Sequence, residues 1–400
     1  MSDVETLQAA FSTGTAVRPS AEVLNLVDLS RAVASAAGVE GIEPTPGSAT
    51  IVDMIGPAER VIFVLVDGLG LNLLEKLPAS SFLRRHLVTE LRTVFPSTTS
   101  VALTTIATCH WPGKHGITGW WTHLPEVQSA AAILQFVKRS DRRSLSYHGV
   151  LVDQAFPQPS VWSAVRRDAL VLLPERIASS VYSVYFSGGQ PRRAYRSLWE
   201  ATDIIIDRVQ GATHPTYTYF YSSRIDEEAH RCGIDRWEVQ AAIADIDRQL
   251  ERLAAGIGNR GRLIISADHG FLDADRNDRH QVRMSDPLLA YLRYPPSGDA
   301  RVMYLHLKEG AEDGVRRHFH RRFGDLFWLI TIDEAEAIGL FGPGCIATPA
   351  RQRFGDLIAI SRGRDVIEYR PPGNNGRIME EASQHSGLTP EEMRIPLIIC

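Results

Sequence analysis

The sequence predicts an α/β protein with a doubly wound, mostly parallel sheet flanked by helices and with a small inserted α/β subdomain. Between residues 61 and 270, apolar β-branched runs alternate with helical patterns, which is the order that the crossovers of a parallel sheet require. The first run, VIFVLV at 61–66, is apolar throughout, as expected of a central strand covered on both faces. An acid or a histidine follows three such runs, and open α/β sheets bind ligands at the carboxyl ends of their strands.

The residues before this sheet, 1–50, are expected to form an N-terminal helix and a linker. Apolar positions between 20 and 38 recur with helical spacing. The Pro- and Gly-rich stretch 40–50 is typical of a connector. The length of the chain allows one large α/β domain with insertions or two domains that share a core, and the remaining residues, 51–400, are expected to form one domain.

Within that domain the patterns predict a series of alternating elements. They are helices at 71–77 and 80–88, a strand ending in VFPS (94–97), a helix at 100–109, strands at 180–186, 216–223 and 261–267, and helices at about 193–209 and 235–255. Asp235 with Glu238 resembles a capping box at the start of the last helix. Two stretches interrupt the alternation: 120–165 is expected to be a lid or peripheral insertion, and 290–362 the inserted subdomain.

The composition bounds the class of partner. Apolar residues make up 44% and charged residues 22% of the chain, which is ordinary for a globular protein. The net charge of −4 argues against a nucleic acid polymer as partner, because binding phosphate backbones requires a basic surface. A small phosphorylated substrate is compatible with this charge, since metal cations can hold it locally.

A cytoplasmic location without a membrane association is expected. The N-terminal residues lack the basic segment followed by an apolar one that marks a secretory signal. No uncharged apolar stretch approaches the roughly 18 residues that suggest a membrane span. The four cysteines are dispersed, which suits a reducing compartment. Export of a processed form stays open as the alternative, and the sequence indicates no oligomeric state.

Acids and histidines in several segments have the type and spacing of metal ligands. In RIDEEAH (224–230), Asp226 and His230 lie four residues apart, so a helical turn places both side chains on one face. In IISADHG (264–270), Asp268 and His269 directly follow an apolar strand. The alternative for this second pair is a carboxylate that only orients the histidine.

Asp67, after VIFVLV, and His385, in the segment QHSGLTPEEM (384–393), complete the set. A strand-end aspartate often only caps a turn, and His385 alone could be any surface histidine. Together, carboxylates and imidazoles suit a borderline cation. Two divalent ions are therefore predicted, with zinc favoured and manganese as the alternative.

A hydroxyl group is expected to be the nucleophile. FPSTTS (95–100) places four hydroxyl side chains at the start of a predicted helix, where unpaired N–H groups and the helix dipole attract anions. A residue at such a position is more often an N-cap. A neighbouring metal, however, lowers the pKa of a hydroxyl and makes it a nucleophile near neutral pH. The combined segments therefore favour metal-assisted attack on phosphorus.

In this order, the segments resemble the alkaline phosphatase superfamily and, within it, the type I phosphodiesterase/nucleotide pyrophosphatase branch. The resemblance extends from about residue 60 to the C-terminus and implies an alkaline phosphatase-like core with two metal ions, usually zinc. It implies one metal held by Asp226, His230 and His385, and a second held by Asp67, Asp268, His269 and the nucleophile oxygen. A gap-free match over FPSTTSVALTTIATCHWPGKHGI (95–117) puts the nucleophile at Thr99, with Thr98 as second choice.

The resemblance implies hydrolysis of phosphodiester or pyrophosphate bonds through a phosphothreonine intermediate, but it departs from the branch where substrate is bound. Residues 100–102, Ser-Val-Ala, replace an aromatic-Pro-Asn run, and Trp120 replaces an Asn that helps to bind a phosphoryl oxygen. Tyr221 matches a position that packs on the leaving group, so Trp120 and Tyr221 are the predicted substrate-binding residues. Trp111, Trp120 and Trp121 are expected either to form an aromatic wall or to be buried core.

Two alternatives to this function remain. A phosphomonoesterase or phosphonate hydrolase would use the same metal core. A non-catalytic binding or scaffold protein is disfavoured, because an unpaired carboxylate cluster is costly without its cation and all six ligand positions are filled. Sulfate esters are less expected, since the context C/S-x-P-x-R is not found around Thr99.

Overall fold

The structure is a computed structural model that describes residues 1–371 and 381–400, and its strands form two seven-stranded sheets and two short pairs. The strands are β1 (Arg60–Val66), β2 (Leu87–Arg92), β3 (Trp121–Leu124), β4 (Ser129–Ala132), β5 (Val137–Lys138), β6 (Asp168–Pro174), β7 (Arg192–Tyr195), β8 (Thr216–Ser222), β9 (Arg262–Ser266), β10 (Leu272–Asp273), β11 (Arg279–Val282), β12 (Ser297–Gly298), β13 (Val302–Leu305), β14 (Phe327–Thr331), β15 (Leu357–Ser361), β16 (Val366–Tyr369), β17 (Ser383–Gln384) and β18 (Arg394–Ile399).

The α-helices of the described residues lie mostly between these strands. They are α1 (Asp3–Thr13), α2 (Leu26–Ala36), α3 (Pro46–Ile55), α4 (Leu71–Leu74), α5 (Phe82–Arg85), α6 (Thr99–Thr108), α7 (Pro112–His115), α8 (Val152–Ala155), α9 (Val181–Phe186), α10 (Leu198–Gly211), α11 (Arg224–Cys232), α12 (Trp237–Ile257), α13 (Glu312–Phe323), α14 (Ile332–Ala337), α15 (Thr348–Phe354) and α16 (Pro390–Met393). None of them is long and apolar enough to cross a membrane.

The central sheet has the strand order β2-β18-β9-β1-β8-β6-β7. Strand β18 runs antiparallel to both of its neighbours, and the other pairings are parallel. In one group of helices, α2 packs against α3 and α6. In another group, α12 packs against α5, α10 and α11. Residues 61–66 are fully buried between these layers, as their continuous apolar pattern predicts. The predicted α/β fold with a mostly parallel sheet is confirmed.

The register of the central strands brings three of their ends together. Val66 of β1 pairs with Ser222 of β8, and Leu65 of β1 pairs with Ser266 of β9. The three strands are parallel, so the loops that follow them leave the sheet on the same side. Those loops begin at Asp67, at Ser223 and at Ala267, and they carry most of the candidate site.

The second sheet is antiparallel and is assembled from two distant parts of the chain. Its order is β14-β15-β13-β12-β3-β4-β5. Strands β3, β4 and β5 come from the stretch 120–165, whereas β12 to β15 come from 290–362. The two parts meet where Gly298 of β12 pairs with Trp121 of β3. The two stretches that interrupt the sequence alternation therefore share one sheet.

The strand predicted to end in VFPS (94–97) already ends at Arg92, and residues 193–195 of a predicted helix lie in β7. Three further local predictions are wrong. Residues 180–186 form helix α9 instead of a strand: the Ser180 side chain caps it by accepting from Ser183 N at 3.1 Å. The strand of this region is β6, which the sequence analysis missed. The predicted connector 40–50 includes the start of α3, whose first turn is capped by Thr45.

The predicted capping box at Asp235 is the third of these errors. Helix α12 begins at Trp237 with Arg236 at the N-cap position and without a side-chain cap. Asp235 instead forms an ion pair with Lys76, with 2.5 Å between Nζ and Oδ1. A long-range charge pair thus replaces a local cap.

Candidate active site

Two aspartates meet where β1 and β9 end. Asp67 follows β1, and its N–H donates to Ser222 O at 2.9 Å. This hydrogen bond extends the pairing with β8 by one residue. Asp268 follows β9, and its Oδ1 accepts from Gly68 N and from His269 N, each at 3.0 Å. Gly68 has a φ of +76°, and a Cβ there would lie 2.4 Å from the Phe271 ring, so a side chain would not fit.

The three predicted histidine ligands share one arrangement. Each directs Nδ1 towards a backbone carbonyl oxygen: His230 towards Ser383 at 2.9 Å, His269 towards Gly270 at 3.2 Å and His385 towards Ser97 at 3.1 Å. Such a partner fixes the orientation of the ring and leaves Nε2 to face the site. The arrangement is the one that metal-ligating histidines commonly have.

The first candidate ligand group is Asp226, His230 and His385. Asp226 and His230 lie four apart on α11, and His230 Nε2 is 3.4 Å from Asp226 Oδ1 and 3.2 Å from His385 Nε2. One ligand atom from each of the three residues falls within 4.8 Å of the others. The structure therefore brings together the three residues that the sequence analysis assigned to one metal.

A second candidate group adjoins the first. Asp67, Asp226 and His269 also have ligand atoms within 4.8 Å of one another. His269 Nε2 is 3.4 Å from Asp67 Oδ1 and 3.4 Å from Asp268 Oδ2. All six ligand positions predicted from the sequence thus lie in one cluster, with Asp226 shared between the two groups.

The cluster fits divalent cations. Asp226 Oδ1 and Asp268 Oδ2 are buried and have no hydrogen-bond partner among residues 1–371 and 381–400, although a buried carboxylate needs compensation. Burial, followed by the charges of Asp226 and Asp268, raises the pKa of Asp67 well above its usual value. Oxygen and imidazole donors around an excess of negative charge suit zinc or manganese.

The charges of the first group are also coupled. Burial lowers the pKa of His230, but the charge and hydrogen bond of Asp226, the charge of Glu381 and the hydrogen bond to Ser383 O together raise it to about 9. Burial and the neighbouring His269 and His230 lower the pKa of His385 well below its usual value. The Nε2 atoms of His230 and His385 lie 3.2 Å apart, so a metal that takes both nitrogens must displace any proton between them.

Thr99, the first residue of α6, places its hydroxyl in the cluster. Its Oγ1 lies 3.1 Å from His269 Nε2 and 3.5 Å from Asp67 Oδ1. Thr98 is the N-cap residue of the helix, and among the described residues its side chain makes no cap hydrogen bond. The geometry favours Thr99 over Thr98 as the hydroxyl next to the candidate ligands.

Tyr221 has a different place from the one expected of a substrate-binding residue. It is buried in β8, and its hydroxyl donates to Asp67 Oδ2. Burial and then Asp67 raise the pKa of Tyr221 well above its usual value, so the hydroxyl keeps its proton. Tyr221 does not belong to the cavity lining and instead contacts a candidate metal ligand. Its position inside a strand explains the difference.

A cavity of about 800 Å³ lies over the cluster and is lined by Thr99, Asp226, His230 and His385. Its far wall belongs to the second sheet, to the loops around it and to β16 with the residue that follows it. This wall includes Trp120, Trp121, Arg139, Asp299, Tyr369 and Arg370. Trp120 therefore borders the cavity as predicted for a substrate contact, whereas Trp111 packs in the core.

Two residues of this wall were missed by sequence reasoning. The Asp299 carboxylate accepts from Trp120 N with both oxygens, each at 3.1 Å. The Arg139 guanidinium lies 4.6 Å from the centre of the Trp121 ring and 4.7 Å from that of Tyr369. These contacts join residues far apart in the sequence, and no motif marks them.

Comparison with known proteins places these observations in context. A sequence model of the type I phosphodiesterase/nucleotide pyrophosphatase family matches residues 61–323. No curated protein matches the chain in a sequence search.

Similar solved structures include an inactive threonine-to-alanine variant of murine ectonucleotide pyrophosphatase/phosphodiesterase 5 in complex with AMP, with a TM-score of 0.62 and 18% identity over 84% of this chain and 87% of that one. The human protein of the same name has a TM-score of 0.62 and 17% identity over 85% and 87% of the two chains. Phosphonoacetate hydrolase from Sinorhizobium meliloti 1021, bound to phosphonoformate, has a TM-score of 0.59 and 15% identity over 84% and 89%.

Proposed function

This chain belongs to the type I phosphodiesterase/nucleotide pyrophosphatase family, and from that premise we propose that it is a two-metal hydrolase of phosphodiester or pyrophosphate bonds in small substrates. Thr99 is the proposed nucleophile. The family and the structural relatives named above are hydrolases.

The observation that carries the proposal is the contact of the Thr99 hydroxyl with two candidate ligands. Thr99 Oγ1 lies within 3.5 Å of both Asp67 Oδ1 and His269 Nε2 at the cavity floor. A hydroxyl beside a cluster of metal ligands is the arrangement that activates a weak nucleophile. The murine relative is described as inactive when a threonine is changed to alanine, which supports a threonine as the reacting group.

We assign the residues to the two metals in the way that the resemblance implies. Asp226, His230 and His385 would hold one divalent ion, and Asp67, Asp268, His269 and the Thr99 oxygen would hold the other, with zinc favoured and manganese as the alternative. When bound, the two ions would neutralise charge on the phosphoryl oxygens and lower the pKa of the threonine hydroxyl.

The chain's own residues then have the following roles. Thr99 Oγ1 forms a bond to phosphorus while the bond between phosphorus and the leaving oxygen breaks, and water later hydrolyses the phosphothreonine. The N-terminal end of α6, where Thr99 lies, favours the phosphoryl charge through the helix dipole. Tyr221 keeps the Asp67 carboxylate oriented through its hydrogen bond. Trp120, in the cavity wall, contacts the leaving group.

A side-by-side assay tests this function. Zinc-loaded protein is given bis-p-nitrophenyl phosphate and p-nitrophenyl phosphate, and its metal content is measured. We expect faster hydrolysis of the diester and two metal ions per chain. A strong preference for the monoester would instead support a phosphomonoesterase. Protein that binds no transition metal and is not rescued by zinc would support a binding or scaffold role.

A phosphonate hydrolase is the second candidate. The position after Thr99 is Ser100, which is fully buried and offers no ring for stacking on a base. The similarity to phosphonoacetate hydrolase is consistent with such a substrate. Phosphonoacetate is therefore included in the same assay, and a higher kcat/KM for it than for the diester would favour this candidate.

We also propose a cytoplasmic location. All four cysteines are free, and Cys345 is exposed, which suits a reducing compartment. Fractionation of native cells tests this, and recovery of the protein outside the cytoplasmic fraction would contradict it.

A further inference from the structure

A fully buried ion pair joins the two sheets close to the candidate metal site. Arg301 immediately precedes β13 of the second sheet, and Glu392 lies in α16 just before β18 of the central sheet. Arg301 Nε is 2.6 Å from Glu392 Oε1, and Arg301 Nη2 is 3.2 Å from Glu392 Oε2. Both side chains have no exposed surface. Burying two charges is costly, so such a pair does not by itself indicate a gain in stability.

The carboxylate of this pair also binds the loop that follows His385. Glu392 Oε1 accepts from Gly387 N at 2.8 Å. Glu392 Oε2 accepts from Thr389 N at 3.2 Å and from Thr389 Oγ1 at 2.8 Å. A Cβ on Gly387 would lie 2.7 Å from Glu392 Oε2 and 3.1 Å from Arg301 Nε, so the loop rests directly on the ion pair.

The backbone of Glu392 reaches the second ligand loop. Its carbonyl oxygen accepts from Gly270 N at 3.0 Å. Gly270 directly follows His269, and a Cβ on Gly270 would lie 2.0 Å from Glu391 O. A single residue therefore holds both the loop that carries Asp268 and His269 and the loop that carries His385.

The nucleophile segment closes the other side of the His385 loop. Ser97 N donates to Ser386 O at 3.3 Å, and Ser97 Oγ donates to Gly387 O at 2.8 Å. The carbonyl of Ser97 accepts from His385 Nδ1. The loop is thus fixed between Ser97 and Glu392, and the direction of His385 Nε2 depends on both contacts.

We propose that Arg301 and Glu392 form a clamp that positions His385 and the loop 268–270 for metal binding. The clamp does not belong to the cavity lining, so its members are positioning residues and not catalytic ones. Arg301 lies two residues after Asp299, which does line the cavity, so the clamp also links the cavity wall to the ligand loops. The proposal rests on the metal site of the proposed function.

The test compares Arg301→Met with Arg353→Met. Arg353 is a matched control: it is equally buried, and its Nη1 and Nη2 donate to Ala155 O and Gln154 O, away from the ligand loops. The measurements are Tm, zinc affinity by competition with a chelator, and amide hydrogen exchange of residues 384–389 in metal-free protein. Arg301→Lys, which keeps the charge, serves if Arg301→Met does not fold.

We expect both Met variants to lower Tm, and only Arg301→Met to weaken zinc binding, by about 10- to 100-fold as for other residues that orient ligands. Its Gly387 amide exchanges faster, and Arg301→Lys shows an intermediate loss. The proposal is overturned if zinc affinity falls equally in the two Met variants. It is also overturned if zinc affinity stays at the wild-type value in both. If the wild-type protein binds no zinc, the proposed function fails, and unchanged exchange in Arg301→Met would then reject the clamp independently.

Discussion

The central sheet and the second sheet make different contributions to the same cavity. The central sheet is mostly parallel and supplies Asp67, Asp226, Asp268 and His269 from the segments that follow three adjacent strands, Asp226 from the first turn of α11. The second sheet is antiparallel, is built from the distant stretches 121–138 and 297–361, and supplies the wall that includes Trp121. The first region carries the proposed chemistry, and the second carries the proposed choice of substrate. Substitutions beside the central sheet should therefore alter kcat, whereas substitutions in the wall from the second sheet should alter KM.

The largest effect is expected from removing the Thr99 hydroxyl. Thr99→Ala should lower kcat by at least about 10³-fold, because no nucleophile remains, while two metal ions stay bound. Steady-state kinetics and metal analysis test this. Thr98→Ala is the matched control and should retain activity. Loss of activity in Thr98→Ala, with survival in Thr99→Ala, would shift the nucleophile by one residue.

Metal removal should also act on the central sheet. Each ion present at 100 times its dissociation constant stabilises the folded state by about 2.7 kcal/mol, a factor of about 100 in the unfolding equilibrium per site. Their removal leaves the carboxylates of Asp67, Asp226 and Asp268 in mutual repulsion. A chelator should therefore lower Tm and abolish activity, and zinc should restore both. Calorimetry measures the shift, and a Tm unchanged by chelation would contradict the metal site.

A smaller effect is expected from Tyr221→Phe. The change removes one hydrogen bond to Asp67 and no cavity surface. We expect kcat to fall about tenfold with KM nearly unchanged, as for other residues that orient a ligand. Tyr195→Phe is a nearby control. The Tyr195 hydroxyl donates to the carbonyl of Tyr221, so its removal leaves the contact with Asp67 in place. A rise in KM alone would return Tyr221 to a substrate-binding role.

The smallest effect is expected in the second sheet's wall. Trp120→Ala should raise KM for an aromatic diester by roughly fivefold, since one aromatic contact contributes about 0.5–1.5 kcal/mol. The value of kcat and the metal content should hardly change. Kinetics on an aromatic and a methyl diester measure this. A large fall in kcat would mean that the wall also takes part in the chemistry.

The comparison also explains which features could be predicted from the sequence. Asp226 and His230 follow a strand and share a helical face, and Asp268 and His269 come one residue after β9 ends, so local spacing was sufficient to group each pair. The strand β1 was recognisable because its apolar run is continuous. The candidate metal ligands lie near strand ends, which the alternating pattern locates well.

Other features depend on contacts that no local pattern contains. Residues 180–186 are β-branched and aromatic, yet packing of Tyr182 and Phe186 in the core makes them a helix. Asp299 contacts Trp120 across about 180 residues of sequence, and Glu392 contacts Arg301 across about 90. Only the pairing of distant strands brings such residues together.

The place of β18 has a consequence for how the protein is made. Strand β2 pairs with β18 in the central sheet, with Arg92 opposite Arg394, so its partner is synthesised about 300 residues later. At about 5–20 residues per second, a ribosome needs roughly 15–60 s for that distance. During this interval the nascent chain presents an incomplete sheet, in which β2 and β9 lack their shared neighbour. The unpaired edges of β2 and β9 are therefore open to aggregation until β18 has been synthesised.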